Sequence, residues 1–233
     1  MKNSCIIVAG GIGLRMGAEI PKQFIRVGGI PVLMHTIQNF YDFDPSLQLI
    51  LVLPADEIIG WNELCRQYHF EIQHQIIAGG DTRFQSVKNG LSLASDCDLI
   101  AVHDGVRPLV SHETITRCFN CAAEMGTAIP VLPANESVRE GSMSKSVPVD
   151  RSRYFLVQTP QVFKSSILKN SYNQTYISEF TDDASVVEHS GTTVQLVMGD
   201  RENIKITFPE DMMIAELFLY SKTASRVYNH LKG

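Results

Sequence analysis

Three short segments of this chain hold residues whose types and spacing suit phosphate chemistry. The first is Ala9-Gly10-Gly11-Ile12-Gly13-Leu14-Arg15-Met16, followed by Pro21-Lys22-Gln23. Gly10, Gly11 and Gly13 carry no Cβ, so backbone N–H groups there can approach anionic oxygens closely, and Arg15 and Lys22 add two cations. The second segment is Gly79-Gly80-Asp81-Thr82-Arg83 and the third is Asp104-Gly105-Val106-Arg107-Pro108. Alone, Asp104 could be a helix cap or a loop carboxylate. Opposite a phosphate-binding loop it suits Mg²⁺, which keeps several waters and takes one or two carboxylates plus substrate phosphates.

Two further cations lie downstream. Lys205 sits in Asn203-Ile204-Lys205-Ile206-Thr207, where alternation sets it on the face away from both isoleucines. A lysine in an otherwise apolar strand is costly to bury without an anion. Arg151 follows Asp150 and has that neighbour as an alternative partner.

The better-known glycine loops do not fit. No glycine is followed by Lys and then Ser or Thr, which excludes a P-loop. A dinucleotide fingerprint from Gly11 would place Met16 where close packing wants Gly or Ala. No Ser-His-Asp or Cys-His constellation is evident. His103 alternates away from Asp104 and is expected to point into packing. Cations around a carboxylate-held metal point instead to nucleotidyl or phosphoryl transfer, in which charge spreading over oxygens must be stabilised. A phosphate monoester as nucleophile needs no strong base, because its second pKa is about 6.

The elements that must position these groups follow from apolar periodicity. Continuous apolar runs predict strands over 4–9, 48–53, 71–77, 98–103 and 127–132, separated by helices near 31–42, 56–69, 83–95 and 112–125. Such runs are covered on both faces, which implies an α/β fold with a doubly wound, mostly parallel sheet. Ligands of such sheets collect at the carboxyl ends of strands, where all three polar segments fall. Over 134–158 the pattern breaks into short β-like pieces without a helix, as in a protruding arm that could embrace a partner subunit. Helices near 164–176 and 181–190, strands over 193–198 and 203–207, and a closing helix from Pro209 complete a single domain spanning 1–233.

Composition agrees with a globular enzyme of the cytoplasm. The 233 residues are 44% hydrophobic with a formal charge of -5, which argues against a nucleic-acid footprint. No apolar run approaches the roughly 20 residues needed to cross a bilayer, and Met1-Lys2-Asn3-Ser4 leads straight into the first strand. The five cysteines are scattered, and Cys118-x-x-Cys121 falls in a helical pattern with no second pair, as ordinary reduced thiols would.

Taken in order, the motifs resemble the 2-C-methyl-D-erythritol 4-phosphate cytidylyltransferases, of the nucleotide-diphospho-sugar transferase-like fold. The resemblance rests on the loop from Ala9 to Met16, Pro21-Lys22-Gln23, Gly79 to Val87, His103 to Pro108, Thr159-Pro160-Gln161, Thr181 to Ser185 and Asn203 to Asp211. It implies CTP and a polyol phosphate as substrates, Mg²⁺ held by Asp104, and a homodimer joined through the arm. Arg15, Lys22 and Lys205 would grip the triphosphate and the reacting phosphorus. Ala9, Gly10, Gly11 and Gly13 would cradle the nucleotide, while Gly80, Asp81, Ser86 and Gly105 would frame its base and ribose. Asp104, Arg107, Ser137, Arg151 and Thr181 would serve the acceptor, with Arg151 acting in its own or its partner's site. Gly10 and Gly105 replace alanines usual in that family, and Glu136-Ser137 replaces Asp-Thr. Ala9-Gly10-Gly11 and Val106-Arg107-Pro108 also resemble the sister ribitol-5-phosphate cytidylyltransferases, so that acceptor stays open on sequence grounds.

Overall fold

The apolar run at the start of the chain forms β1 (Asn3–Val8), whose residues Ser4 to Ile7 are buried. In the computed structural model, which describes residues 2–10 and 21–230, β1 lies inside an eight-stranded sheet. It runs parallel to β4 (Gln48–Leu53) on one side and β6 (Leu99–Asp104) on the other, and β5 (Gln75–Ala78) extends the sheet parallel to β4. Beyond β6 comes β11 (Gln161–Lys164), antiparallel to β6 and to β7 (Thr127–Pro133). β10 (Phe155–Val157) pairs antiparallel with β7, and β12 (Leu196–Met198) pairs with it in parallel. Between β1 and β4 a small hairpin, β2 (Arg26–Val27) and β3 (Ile30–Pro31), stands off the main sheet.

Period-two alternation explains why the central strands read as unbroken apolar runs. Cys5 and Ile7 of β1, Leu49, Leu51 and Leu53 of β4, and Leu99 and Ala101 of β6 face one core layer. The helices over that face are α1 (Val32–Phe43), α2 (Glu57–Gln67), which contributes Trp61, and α4 (His112–Met125). The intervening Ile6, Ile50, Val52, Ile100 and Val102 face a second layer. There they meet α3 (Arg83–Leu91), α5 (Ser165–Ser171) and α6 (Asp183–His189). Burying each such side chain contributes about 1.5–3 kcal/mol, which fixes strand ends, and the loops beyond them, in place.

Three expected strands differ. Those foreseen over 71–77 and 193–198 form only at Gln75–Ala78 and Leu196–Met198. The one foreseen over 203–207 does not form; that segment is held by Ile206 N donating to Val106 O at 2.9 Å and by the buried Ile206 side chain, packed with Val32, Val106 and Leu109. Asp211, in the first turn of α7 (Pro209–His230), accepts from the N–H groups of Thr207 and Phe208 at 2.7 and 2.8 Å. Lys205 is thus presented by an anchored loop rather than a sheet.

The break over 134–158 holds a separate hairpin and, near its end, β10 of the main sheet. β8 (Arg139–Gly141) and β9 (Ser146–Pro148) form an exposed hairpin, with Gly141 at φ +131°, a backbone conformation that side-chain-bearing residues rarely adopt. Met143 and Val147 are exposed on this hairpin, and Phe155 and Leu156 are exposed on β10. All five cysteines are free, with Cys118 buried inside α4. No helix among the described residues is long and apolar enough to cross a membrane.

Candidate active site

Asp104 is the last residue of β6 and is 8% exposed. Its Oδ2 receives Nε of Arg107 at 3.1 Å and Nζ of Lys205 at 3.1 Å. Burial alone would raise its pKa; the cations Lys205, Arg83 and Arg107 outweigh that and hold it well below the usual carboxylate range. Arg107 is fixed in turn, its Nη1 donating to Asn203 O at 2.7 Å. The carboxylate is therefore ionised and rigidly placed at a strand end.

His103 points the other way, as alternation requires. It is fully buried, edge-on to Phe40 with ring centroids 4.8 Å apart. Its Nε2 lies 3.0 Å from Arg107 O, which can only accept, so that nitrogen carries the proton. Thr159 Oγ1 then accepts from Asp104 N at 3.1 Å and donates its own proton to His103 Nδ1 at 3.1 Å. Burial first, and the cations Arg107 and Lys205 after it, push the imidazole down to about 4, against the opposing pull of Asp104 and the Arg107 carbonyl. His103 is a neutral brace between the Asp104 loop and Thr159.

Two clefts open beside Asp104. The first, of about 240 Å³, is lined by the predicted nucleotide residues Ala9, Gly10, Lys22, Gly80, Asp81 and Ser86. The second, of about 280 Å³, is lined by the predicted acceptor residues Arg107 and Thr181 together with Gln158, Gln161 and Asp182. Arg83, Asp104 and Lys205 line both. Ser86 Oγ accepts from Gly80 N at 3.2 Å and so shapes the glycine turn. Gly105 lines neither cleft and packs against the end of β1 instead: a Cβ there would sit 2.9 Å from Ala9 Cβ.

Two further predicted residues do not reach either cleft in this chain. Ser137 and Arg151 are exposed on the arm and line neither cleft; Arg151 donates from Nη1 to Asn135 O, while Asp150 accepts from Ser152 instead of pairing with Arg151. Gly11, Gly13 and Arg15 lie outside the described residues.

Sequence reasoning gave no role to several residues that build the second cleft. Arg83 Nη2 lies 2.6 Å from Asp183 Oδ2, and Asp183, fully buried, also accepts from Tyr172 OH at 2.7 Å. Burial works against the Arg83 charge, but Asp183 more than compensates and raises its pKa. Gln161 donates to Asp182 Oδ2 and accepts from Ala184 N, each at 2.8 Å. These residues sat inside recognised motifs, yet Arg83 and Asp183 are 100 positions apart and nothing local signals their pairing.

The donor set fits Mg²⁺ in one mode only. No group of three or more His, Cys, Asp or Glu side chains among the described residues could hold a metal by itself. One ionised carboxylate beside a polyphosphate-sized cleft suits an ion that takes its other ligands from phosphates and water.

A family model for 2-C-methyl-D-erythritol 4-phosphate cytidylyltransferase matches residues 4–221. The chain belongs to this cytidylyltransferase family. Named members include a Phocaeicola vulgatus protein, 53% identical over 219 residues that cover 94% of this chain and 100% of that one. A Porphyromonas gingivalis member is 51% identical over 94% of this chain and 99% of its own length. Among solved structures of the family, the Thermus thermophilus enzyme superposes with a TM-score of 0.77 at 31% identity, covering 94% of this chain and 98% of that one. The Anaerococcus prevotii 4-diphosphocytidyl-2C-methyl-D-erythritol synthase gives 0.79 at 27% identity, over 94% and 96%. The mostly parallel sheet with helices on both faces is the architecture shared with these members.

Proposed function

We propose that this chain transfers CMP from CTP to 2-C-methyl-D-erythritol 4-phosphate, releasing pyrophosphate, at the junction of its two clefts. The observation that carries this reading is that Arg83, Asp104 and Lys205 line both clefts. A nucleotide in the first cleft and a phosphorylated polyol in the second would meet at those three side chains. The acceptor phosphate attacks the α-phosphorus in line; one P–O bond forms as the bond to pyrophosphate breaks, and no proton has to be removed by a base. The engagement of both His103 nitrogens accords with that economy.

Lys22 and Lys205, with Arg15 from the first loop, stabilise the charge that builds on the equatorial oxygens. Arg107 and Thr181 hold the acceptor, and the Arg83–Asp183–Tyr172 chain keeps the Arg83 guanidinium between the reactants. Asp104 would hold Mg²⁺, which when bound neutralises phosphate charge and eases departure of pyrophosphate. Ser137 and Arg151 act in trans: two copies embrace through their arms, covering the exposed Met143, Val147, Phe155 and Leu156, and each arm completes its neighbour's acceptor cleft. Pyrophosphate release from CTP should require 2-C-methyl-D-erythritol 4-phosphate and stop on chelation of divalent metal. Release that ignores the acceptor would overturn the reading.

A further inference from the structure

Gln23 follows Lys22 in the 3-10 turn Lys22–Phe24 and is 1% exposed. Its Oε1 and Nε2 are both buried, and neither has a hydrogen-bond partner among the described residues. Asn203, by contrast, leaves only Oδ1 unpaired, since its Nδ2 donates to Thr159 O at 2.8 Å. Gln23 has no easy route to water. The next residue, Phe24, is buried and stacked on Trp61 with centroids 6.0 Å apart, and Phe24 N donates to Pro21 O at 2.9 Å to close the turn. An amide held dry with both atoms unpaired weakens the folded state, and such groups in native proteins call for a specific explanation.

That explanation lies in the cleft. Gln23 lines the 240 Å³ cleft alongside Lys22, Gly10, Asp104 and Lys205. Resting on the nucleotide-cleft reading above, we propose that the Gln23 carboxamide, buried in the wall of this cleft in the empty enzyme, turns into it when nucleotide binds, Nε2 then donating to an oxygen of the CTP polyphosphate beside Lys22. Polyphosphate is the part of the nucleotide that a turn shared with Lys22 would reach. Gln23 is then a nucleotide-contacting residue that costs the empty enzyme stability and gains its partner only when CTP arrives.

The two effects have opposite signs, and that makes the proposal testable. Gln23→Met keeps the volume and removes both polar atoms. Without nucleotide its melting temperature should equal or exceed that of the wild type. Its dissociation constant for CTP should rise roughly tenfold or more, the value of a hydrogen bond to a charged group, with little change for CMP. Gln23→Glu, which sets a carboxylate against the polyphosphate, should lose more. Calorimetric titration of wild type and both variants with CTP and CMP, beside thermal melts of the unliganded proteins, reads every term. A lower melting temperature for unliganded Gln23→Met would show an amide already paired within the chain and overturn the proposal. So would an unchanged CTP affinity, or equal losses for CTP and CMP. A wild type that binds no CTP would instead overturn the nucleotide reading itself.

Discussion

Lys205→Met separates chemistry from stability. The Lys205 ammonium lies 3.1 Å from Asp104 Oδ2, with 45% of its side chain exposed against 11% for Asp104. A half-exposed pair of this kind contributes about 0–1 kcal/mol once solvent screening is allowed for. Arg107 remains on the same oxygen at 3.1 Å, so the mutation does not leave a buried carboxylate without a cation. The loop keeps its anchor in Ile206, which is fully buried. For a chain of this size 1 kcal/mol shifts the melting temperature by about 2–4 °C, which bounds the expected drop. Removing one preorganised charge from a developing anion costs about 2.7–4 kcal/mol of transition-state stabilisation, a loss of about 10²–10³ in kcat. Pyrophosphate release at saturating CTP and acceptor gives kcat, calorimetric melting gives the stability change, and CTP titration gives ground-state affinity. A large fall in kcat with small changes in the other two is the expected result. An unchanged kcat would refute the assignment, and a melting temperature lowered by about 10 °C or more would make Lys205 a structural residue.

Three further outcomes are expected. If Arg151 serves the neighbouring subunit, Lys22→Ala and Arg151→Ala proteins, each nearly inactive alone, should regain activity on mixing, because one site of the hybrid has both groups; no recovery would place Arg151 in its own subunit's site. His103 is held neutral with its pKa near 4 instead of 6.5, so the unfolded chain binds the extra proton between those values. Stability should therefore fall as pH drops from 6.5 towards 4, by at most about 1.4 kcal/mol per unit for this group, and Asp104 should extend the loss below the ordinary carboxylate range. Urea unfolding from pH 7 to 4 should be less steep in His103→Gln, and identical slopes would count against the buried imidazole. Gly10→Ala has room, its Cβ falling 3.7 Å from Ser86 Oγ, and should be neutral or stabilising by up to about 1 kcal/mol. Gly105→Ala would press on Ala9 Cβ at 2.9 Å and Leu33 Cδ1 at 3.1 Å and should cost about 1–3 kcal/mol; the reverse ranking by thermal melting would contradict the packing described.

The sheet was legible because its central strands are buried on both faces. β1, β4, β6 and β7 are long and apolar enough to declare themselves, and the carboxyl ends of β1, the shorter β5 and β6 locate Gly10, Gly80 and Asp104. The antiparallel β10 and β11 gave no comparable signal, being three and four residues long on either side of Thr159-Pro160. Lys205 was singled out for a sound reason, an ammonium among isoleucines, but a loop seated by Ile206 and Asp211 carries it rather than a strand. The second cleft was readable only in part. Arg107 and Thr181 stood in motifs, whereas the Arg83–Asp183–Tyr172 chain joins residues that only the folded chain brings together. Nor could sequence tell that the Gln23 amide is buried without a partner, since burial and pairing are decided only when the folded chain packs around it.

The central claim is that the second cleft takes a methylerythritol phosphate and joins it to CMP from the first. Offering CTP with equal amounts of 2-C-methyl-D-erythritol 4-phosphate and ribitol 5-phosphate, and resolving the cytidine diphosphate products by mass, tests it most directly. 4-Diphosphocytidyl-2-C-methyl-D-erythritol should be the dominant product, formed in step with pyrophosphate. A dominant CDP-ribitol product, or pyrophosphate without either conjugate, would contradict it.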